Sequence, residues 1–186
     1  MAFVHLRTHT EYSVVDGTLR IDDAVAAAAR DGQPACAITD LNNLFGAVKF
    51  YTAARKRGVK PIIGCDLWLE PEGNDKQGSR LLVLVQDHGG YLHLCELLAR
   101  AWTGNAQRAQ AFVKWAWLEE LAGGLLALSG ADGGAVGQAV GRFDVGRIDV
   151  AEPLLGQHER WVGLQVGDVG EPGMAAQHRR GTDEQR

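Results

Sequence analysis

Short apolar runs recur along this chain, and the polar, glycine-bearing stretches between them restrict it to a small group of folds. Phe3, Val4 and Leu6 open the chain as a candidate buried strand. Pro34 to Thr39 (PACAIT), Lys60 to Glu70 (KPIIGCDLWLE), Arg80 to Gln86 (RLLVLVQ) and Leu125 to Ser129 (LLALS) follow at strand length. Between them lie helical patterns. Leu19 to Arg30 is alanine-rich, with an acidic start and a basic end that suit the helix dipole, and Asp31-Gly32 stops it. Ala47 to Lys56 predicts a second helix with Val48, Tyr51 and Ala54 facing inward, and Gly90 to Trp102 a third on Leu94, Leu97, Leu98 and Ala101. A short helix led by Trp115 and Trp117 ends at Gly123-Gly124. The third and fourth strands are close enough in sequence to pair as a hairpin, across a polar turn from Pro71 to Ser79. Strands alternating with helices define an α/β protein, either an open sheet or a barrel, with its functional edge where strands end and loops begin.

Polar chemistry is concentrated at one such edge. Residues 3–17 read FVHLRTHTEYSVVDG, in which His5, Arg7 and His9 recur at every second position and share one face of an extended segment. Asp16-Gly17 then marks a turn, with a helix able to begin near Thr18. A His-x-x-x-His pair can ligate a metal but more often consists of two satisfied polar side chains, so the remainder of the chain has to decide. His93, within the third helix, reads as a packed or surface histidine. The glycine-rich GADGGAVG has neither a P-loop lysine nor a ribose-binding acid at a suitable distance, and reads as a strand-to-helix turn.

With a formal charge of -4 the surface as a whole is not one that coats nucleic acid. Cys36, Cys65 and Cys95 lie far apart, each in an apolar stretch, which predicts reduced core thiols in a cytoplasmic protein. No apolar run approaches the roughly 20 residues needed to cross a bilayer, so no membrane association is expected. Beyond Leu155 the texture changes: 156–186 carries scattered glycines and charges with no period of two or 3.6, and is expected to be an atypical, disordered or frame-shifted tail behind a 1–155 domain.

Taken in order and spacing, FVHLRTHTEYSVVDG, PACAITDLNNLFGAVKFY, GVKPIIGCDLWLE, LLVLVQDHGGYLHL and GLLALSG resemble the N-terminal PHP (polymerase and histidinol phosphatase) domain of bacterial DNA polymerase III alpha subunits, the C-family replicative polymerases. The resemblance spans roughly the first 130 residues and implies an irregular (β/α) barrel of PHP type, here partial and truncated at the C-terminus, in front of a much longer polymerase. Active PHP sites in this family hold several divalent metals and hydrolyse phosphoesters. Their ligands include a His-x-His on the first strand, a histidine in the TDHG after the second, a glutamate on the third and a histidine opening the fourth. This chain departs from that pattern at four positions: Arg7 replaces the first histidine of His-x-His, Leu41 the histidine after Thr39-Asp40, Asp66 the glutamate and Arg80 the fourth-strand histidine. Ala131 also stands where many relatives have cysteine.

Guanidinium groups stay protonated and offer no lone pair, so they repel a divalent cation. The expectation is a metal-free, hydrolytically inactive site with no cofactor, in which His9, Asp16 and Asp66 persist as remnants held by Arg7 and Arg80. The resemblance further implies a DNA-directed DNA polymerase whose magnesium-dependent aspartates lie outside this chain, partnership with a proofreading exonuclease and other holoenzyme subunits, and contact with DNA through the parent polymerase. Trp68, Trp102, Trp115 and Trp117 are candidate interface anchors. The alternative is a stand-alone metal-dependent PHP phosphoesterase, which the four ligand losses oppose.

Overall fold

A computed structural model describes residues 3–71, 78–130 and 134. Ala131, most of the glycine-rich stretch after Ser129, and the 156–186 tail lie outside the described residues. In chain order the elements are α1 (Ile21–Arg30), β1 (Ala35–Ile38), α2 (Ala47–Lys56), β2 (Lys60–Leu69), β3 (Ser79–Val85), α3 (His88–Gly104), β4 (Ala106–Gln107), β5 (Gln110–Ala111), α4 (Trp115–Glu120) and β6 (Leu125–Ser129). The main sheet has the order β1-β2-β3-β6, parallel between β1 and β2 and antiparallel thereafter, with β4 and β5 forming a separate two-residue ladder. This is the expected α/β architecture, and the β2–β3 hairpin is present. Among the described residues the sheet stays open and does not close into a barrel.

The sheet separates core from site through the alternation of side chains along β2. Cys65, Leu67 and Leu69 pack with Val83 of β3 against Leu94, Leu97, Leu98 and Ala101 of α3. Ile38 and Cys36 of β1 pack with Ile63, with Ile21 and Val25 of α1, and with Phe50 and Ala54 of α2. Gly64, Asp66 and Trp68 therefore leave β2 on the side away from this helix-packing face. Their register partners Leu84, Leu82 and Arg80 project from β3 on the same side.

Three expectations are corrected. The opening segment forms no buried strand: only one isolated bridge, His5 to Cys36, joins it to β1, and Phe3 and Leu6 are exposed. It lies along the edge of β1, where Ala37 N–H donates to the His5 carbonyl (2.8 Å) and Thr39 N–H to that of Thr8 (2.9 Å). Val4 is only half-buried. The inner face of α2 is Ala47, Phe50 and Ala54, whereas Val48 and Tyr51 point outward. Phe50, the bulkiest apolar group of the helix, sets the rotation by filling the space between α1 and β1. Finally, α1 begins at Ile21 instead of near Thr18, because the Leu19 carbonyl is held in extended backbone by the Glu11 N–H (2.8 Å).

Candidate functional site: an ion-paired centre beside the sheet

Asp66 stands at the middle of the site. Its side chain is 0% exposed, and its Oδ2 receives Arg7 Nη2 at 2.6 Å and Arg7 Nε at 3.1 Å. His9 Nε2 lies 3.1 Å from the same oxygen, and Arg80 Nη1 3.2 Å. The other His9 nitrogen meets Asp16 Oδ1 at 3.0 Å, and Arg80 Nη2 reaches Asp16 Oδ2 at 3.5 Å. Two carboxylates and three cationic or cation-capable side chains thus form one closed network, made of five residues to which the sequence points.

Local structure explains how residues so far apart converge. Arg7 and His9, two positions apart on an extended segment, present their side chains to the same side. Ser13 accepts the turn that follows, with Gly17 N–H donating to its carbonyl (2.7 Å), and the loop folds back so tightly that a Cβ on Gly17 would lie 1.8 Å from the Thr10 carbonyl oxygen. Only glycine fits there, and the fold-back carries Asp16 to His9. Arg80 is placed by its register opposite Trp68, over whose ring its guanidinium lies at 4.3 Å from the centroid. Trp68 therefore serves as a wall of the site.

The electrostatics follow from these contacts. Burial alone would push Asp66 up, but hydrogen bonds from His9 and Arg7 and the charges of Arg80 and Arg7 outweigh it, holding the carboxyl below its ordinary value. The hydrogen bond to Asp66, opposed by burial and aided by Asp16, raises His9 above its ordinary value. For Asp16, burial is outweighed by hydrogen bonds from Ser13 and His9 and by nearby positive charge, so it too is lowered. Each shift thus runs in the direction that favours the ion pairs, with the two carboxyls lowered and the imidazole raised.

Leu41 has no polar part in this network. Its backbone bridges to Asp66, and its N–H donates to Ser13 Oγ (2.9 Å). Asp40, beside it, is buried and accepts from Thr10 N–H (2.5 Å) and Thr10 Oγ1 (2.8 Å), with burial raising its pKa. His5 stays outside, stacked edge-on against Phe3. His93 Nδ1 lies 2.7 Å from the Gly123 carbonyl oxygen, a packing role.

Sequence reasoning missed Asn42. This residue has φ 52°, donates from Nδ2 to the Ala111 carbonyl (2.7 Å), accepts the Trp68 N–H at Oδ1 (3.1 Å) and accepts Trp102 Nε1–H at its own carbonyl (2.9 Å). Its N–H also donates to the Asp66 carbonyl (3.0 Å). The available signal was an Asn-Asn pair just beyond a strand, since asparagine tolerates the left-handed region. Of the four tryptophans proposed as interface anchors, Trp102 is the most open to solvent, while Trp115 and Trp117 pack partly buried against the α3 core.

The polar centre thus lies beside an open α/β sheet, on His9 of the opening segment, Asp66 of β2 and Arg80 of β3. The PHP domain description covers residues 5–164, and the chain belongs to that family. Its relatives carry a particular name: the chain is 42% identical over 140 residues to the DNA polymerase III subunit alpha of Pseudomonas aeruginosa and 37% identical over 156 residues to that of Escherichia coli K12. These alignments take in 75% and 84% of this chain but only 12% and 13% of those proteins, so the chain spans about one eighth of the length of the relatives it matches. Among solved structures, an amidohydrolase from Chromobacterium violaceum superposes with a TM-score of 0.45 at 21% identity, over 55% of this chain and 34% of that one.

The divalent metals that the PHP resemblance implies do not fit these residues. Two guanidinium groups lie within 3.2 Å of Asp66 Oδ2, where a cation would have to compete with permanent positive charge. Both nitrogens of His9 are turned to carboxylates, and Leu41 offers no donor. Asp66 Oδ1 is buried without a hydrogen-bond partner among the described residues, but one carboxylate oxygen does not make a chelate. No cluster of three or more His, Cys, Asp or Glu side chains among the described residues is placed to hold a metal.

Proposed function

We propose that this chain is the PHP portion of a bacterial DNA polymerase III alpha subunit in which an ion-pair network has replaced the metal centre, leaving a structural and recruiting module. The observation that carries this reading is the wrapping of buried Asp66 by Arg7, His9 and Arg80. That arrangement supplies internally the positive charge that active relatives draw from metal, and generates no bound hydroxide or other nucleophile. The parent polymerase would extend primers on a template with magnesium held by aspartates elsewhere in its length, in the cytoplasm and in contact with DNA. This portion would brace it and dock the proofreading exonuclease and other holoenzyme subunits. The support is the similarity to DNA polymerase III subunit alpha together with the charge pattern of the site. No helix among the described residues is long and apolar enough to cross a membrane.

Metal analysis after equilibration with zinc and manganese, with a phosphodiester hydrolysis assay with and without chelator, tests the inactive centre. Near-stoichiometric metal with chelator-sensitive hydrolysis would overturn the metal-free reading. A pull-down with purified exonuclease subunit tests the recruiting role separately, and no retention at micromolar concentration would remove it.

A further inference from the structure

The outer surface of α2 carries a second feature that the ion-paired centre does not use. Phe45, Val48, Lys49, Thr52, Ala53 and Lys56 recur at helical spacing and, with Arg57 and with Asp22 on α1, line an open cleft of about 770 Å³. Phe45 is 76% exposed and Val48 75%, adjacent to each other at one end. Thr52 hydrogen-bonds its hydroxyl to the Val48 carbonyl (2.9 Å), which leaves its methyl as the group without an internal use. At the other end stand Lys56 and Arg57. No carboxylate pairs with either among the described residues, whereas Lys49 is held by Glu11 at 2.9 Å.

Charge is concentrated here against the overall balance of the chain. From Leu41 to Cys65 there are five basic residues (Lys49, Arg55, Lys56, Arg57 and Lys60) and no Asp or Glu, in a chain whose net charge is -4. The helix dipole accounts for cations in the last turn of α2. It does not account for Phe45, just ahead of α2, and Val48 in its first turn, each three quarters exposed, when the same helix buries Phe50 completely. An apolar pair beside uncompensated cations is the composition of a recognition surface.

We propose that this stripe of α2 receives an acidic peptide segment of a protein partner, with a large apolar side chain seated on Phe45 and Val48 and carboxylates on Lys56 and Arg57. Val48 and Lys56 are eight positions apart on the helix, about 12 Å, which an extended segment covers in about four residues. The occupant is therefore a short motif with one bulky apolar residue and two or more Asp or Glu about four positions away. The apolar half of the cleft offers a single aromatic ring, Phe45, which favours a peptide over a nucleic-acid strand whose successive bases would require a stacking platform along the groove. The inference does not rest on the identity of the exonuclease or on the state of the Asp66 centre.

The test is selection of a random peptide library against the full 186-residue chain, followed by fluorescence anisotropy of the selected peptides. The expected consensus is apolar and acidic at that spacing. Binding should weaken at least tenfold with K56E/R57E and with F45S/V48S, and fall with added salt in the first case more than in the second. All four side chains are on the surface, so the variants should retain the wild-type circular dichroism spectrum. Absence of a consensus, a neutral or basic one, affinity unchanged by both variants, or tighter binding of a dT oligonucleotide at the same residues would each overturn it.

Discussion

Asp66→Asn is the substitution that most directly reads the site. The change keeps the shape of the side chain and removes the negative charge from an oxygen that receives Arg7 at 2.6 Å and Arg80 at 3.2 Å. With charge centres about 4 Å apart and an effective dielectric near 20, each guanidinium contributes about 4 kcal/mol of attraction. Desolvation of the buried carboxylate offsets several kcal/mol of that sum. Breaking a buried pair while leaving its partners in place costs about 3–5 kcal/mol, and the Arg7 side chain, 44% exposed, regains water and draws the value to the lower end. The expected loss is therefore about 3 kcal/mol, or roughly 10 °C in Tm for a domain of this size. Urea denaturation at pH 7 measures it, with the exposed Glu119→Gln as a control expected within about 0.5 kcal/mol. Because the folded pKa of Asp66 is lowered, its contribution is present above the ordinary carboxylate pKa near 4 and fades as pH falls through the lower folded value. The gap between wild type and D66N should close on acidification. A site evolved to hold a cation predicts the opposite, since removing one of several converging ligands relieves repulsion when no metal is bound. An unchanged or increased stability for D66N would refute the ion-pair account.

Further expectations concern the surrounding residues. Since the folded pKa of His9 is raised, its stabilising contribution is complete below about pH 6.5 and is lost as pH rises through that higher folded value; the stability difference between wild type and H9Q, followed by urea denaturation from pH 5 to 9, should shrink with rising pH. Asn42→Ala removes the acceptor for Trp68 N–H and the donor to Ala111 while keeping a positive φ, for a loss of about 2–4 kcal/mol, and Asn42→Gly should recover about 1 kcal/mol of it. Phe50→Ala, in the centre of the α1–α2 core, should cost about 3–5 kcal/mol by thermal denaturation. The combined R7H, L41H, D66E and R80H variant restores the family's donor types at four positions and should bind zinc measurably in equilibrium dialysis where the wild-type chain does not; no gain would place the defect outside these four residues.

Much of the fold could be read in the sequence because its elements carry their own signals. α2 was bounded at both ends, and β1, β2, β3 and β6 were found within about a residue, since each apolar run is closed by glycine or a charged residue. What could not be read depended on partners distant in sequence. The opening segment has strand composition, but whether its apolar side chains are buried is decided by what lies beyond the edge of β1. The rotation of α2 turned on Phe50 alone, because Val48, Tyr51 and Ala54 also satisfy helical periodicity. At the site, the sequence supplied all five charged residues, yet not the stacking of Arg80 on Trp68, which requires the hairpin register, nor the approach of Asp16 to His9, which requires the Gly17 fold-back.

The alternation along β2 has a consequence for how such a protein can change over time. Cys65, Leu67 and Leu69 answer to the helices, while Asp66 and Trp68 answer only to the opposite side of the sheet. Substitutions that dismantle a hydrolytic pocket can therefore accumulate on one side of a single strand without disturbing the packing that the other side maintains. Two adjacent residues of one strand are thereby exposed to independent selective pressures, and a catalytic scaffold can lose its reaction while remaining a sound mechanical part.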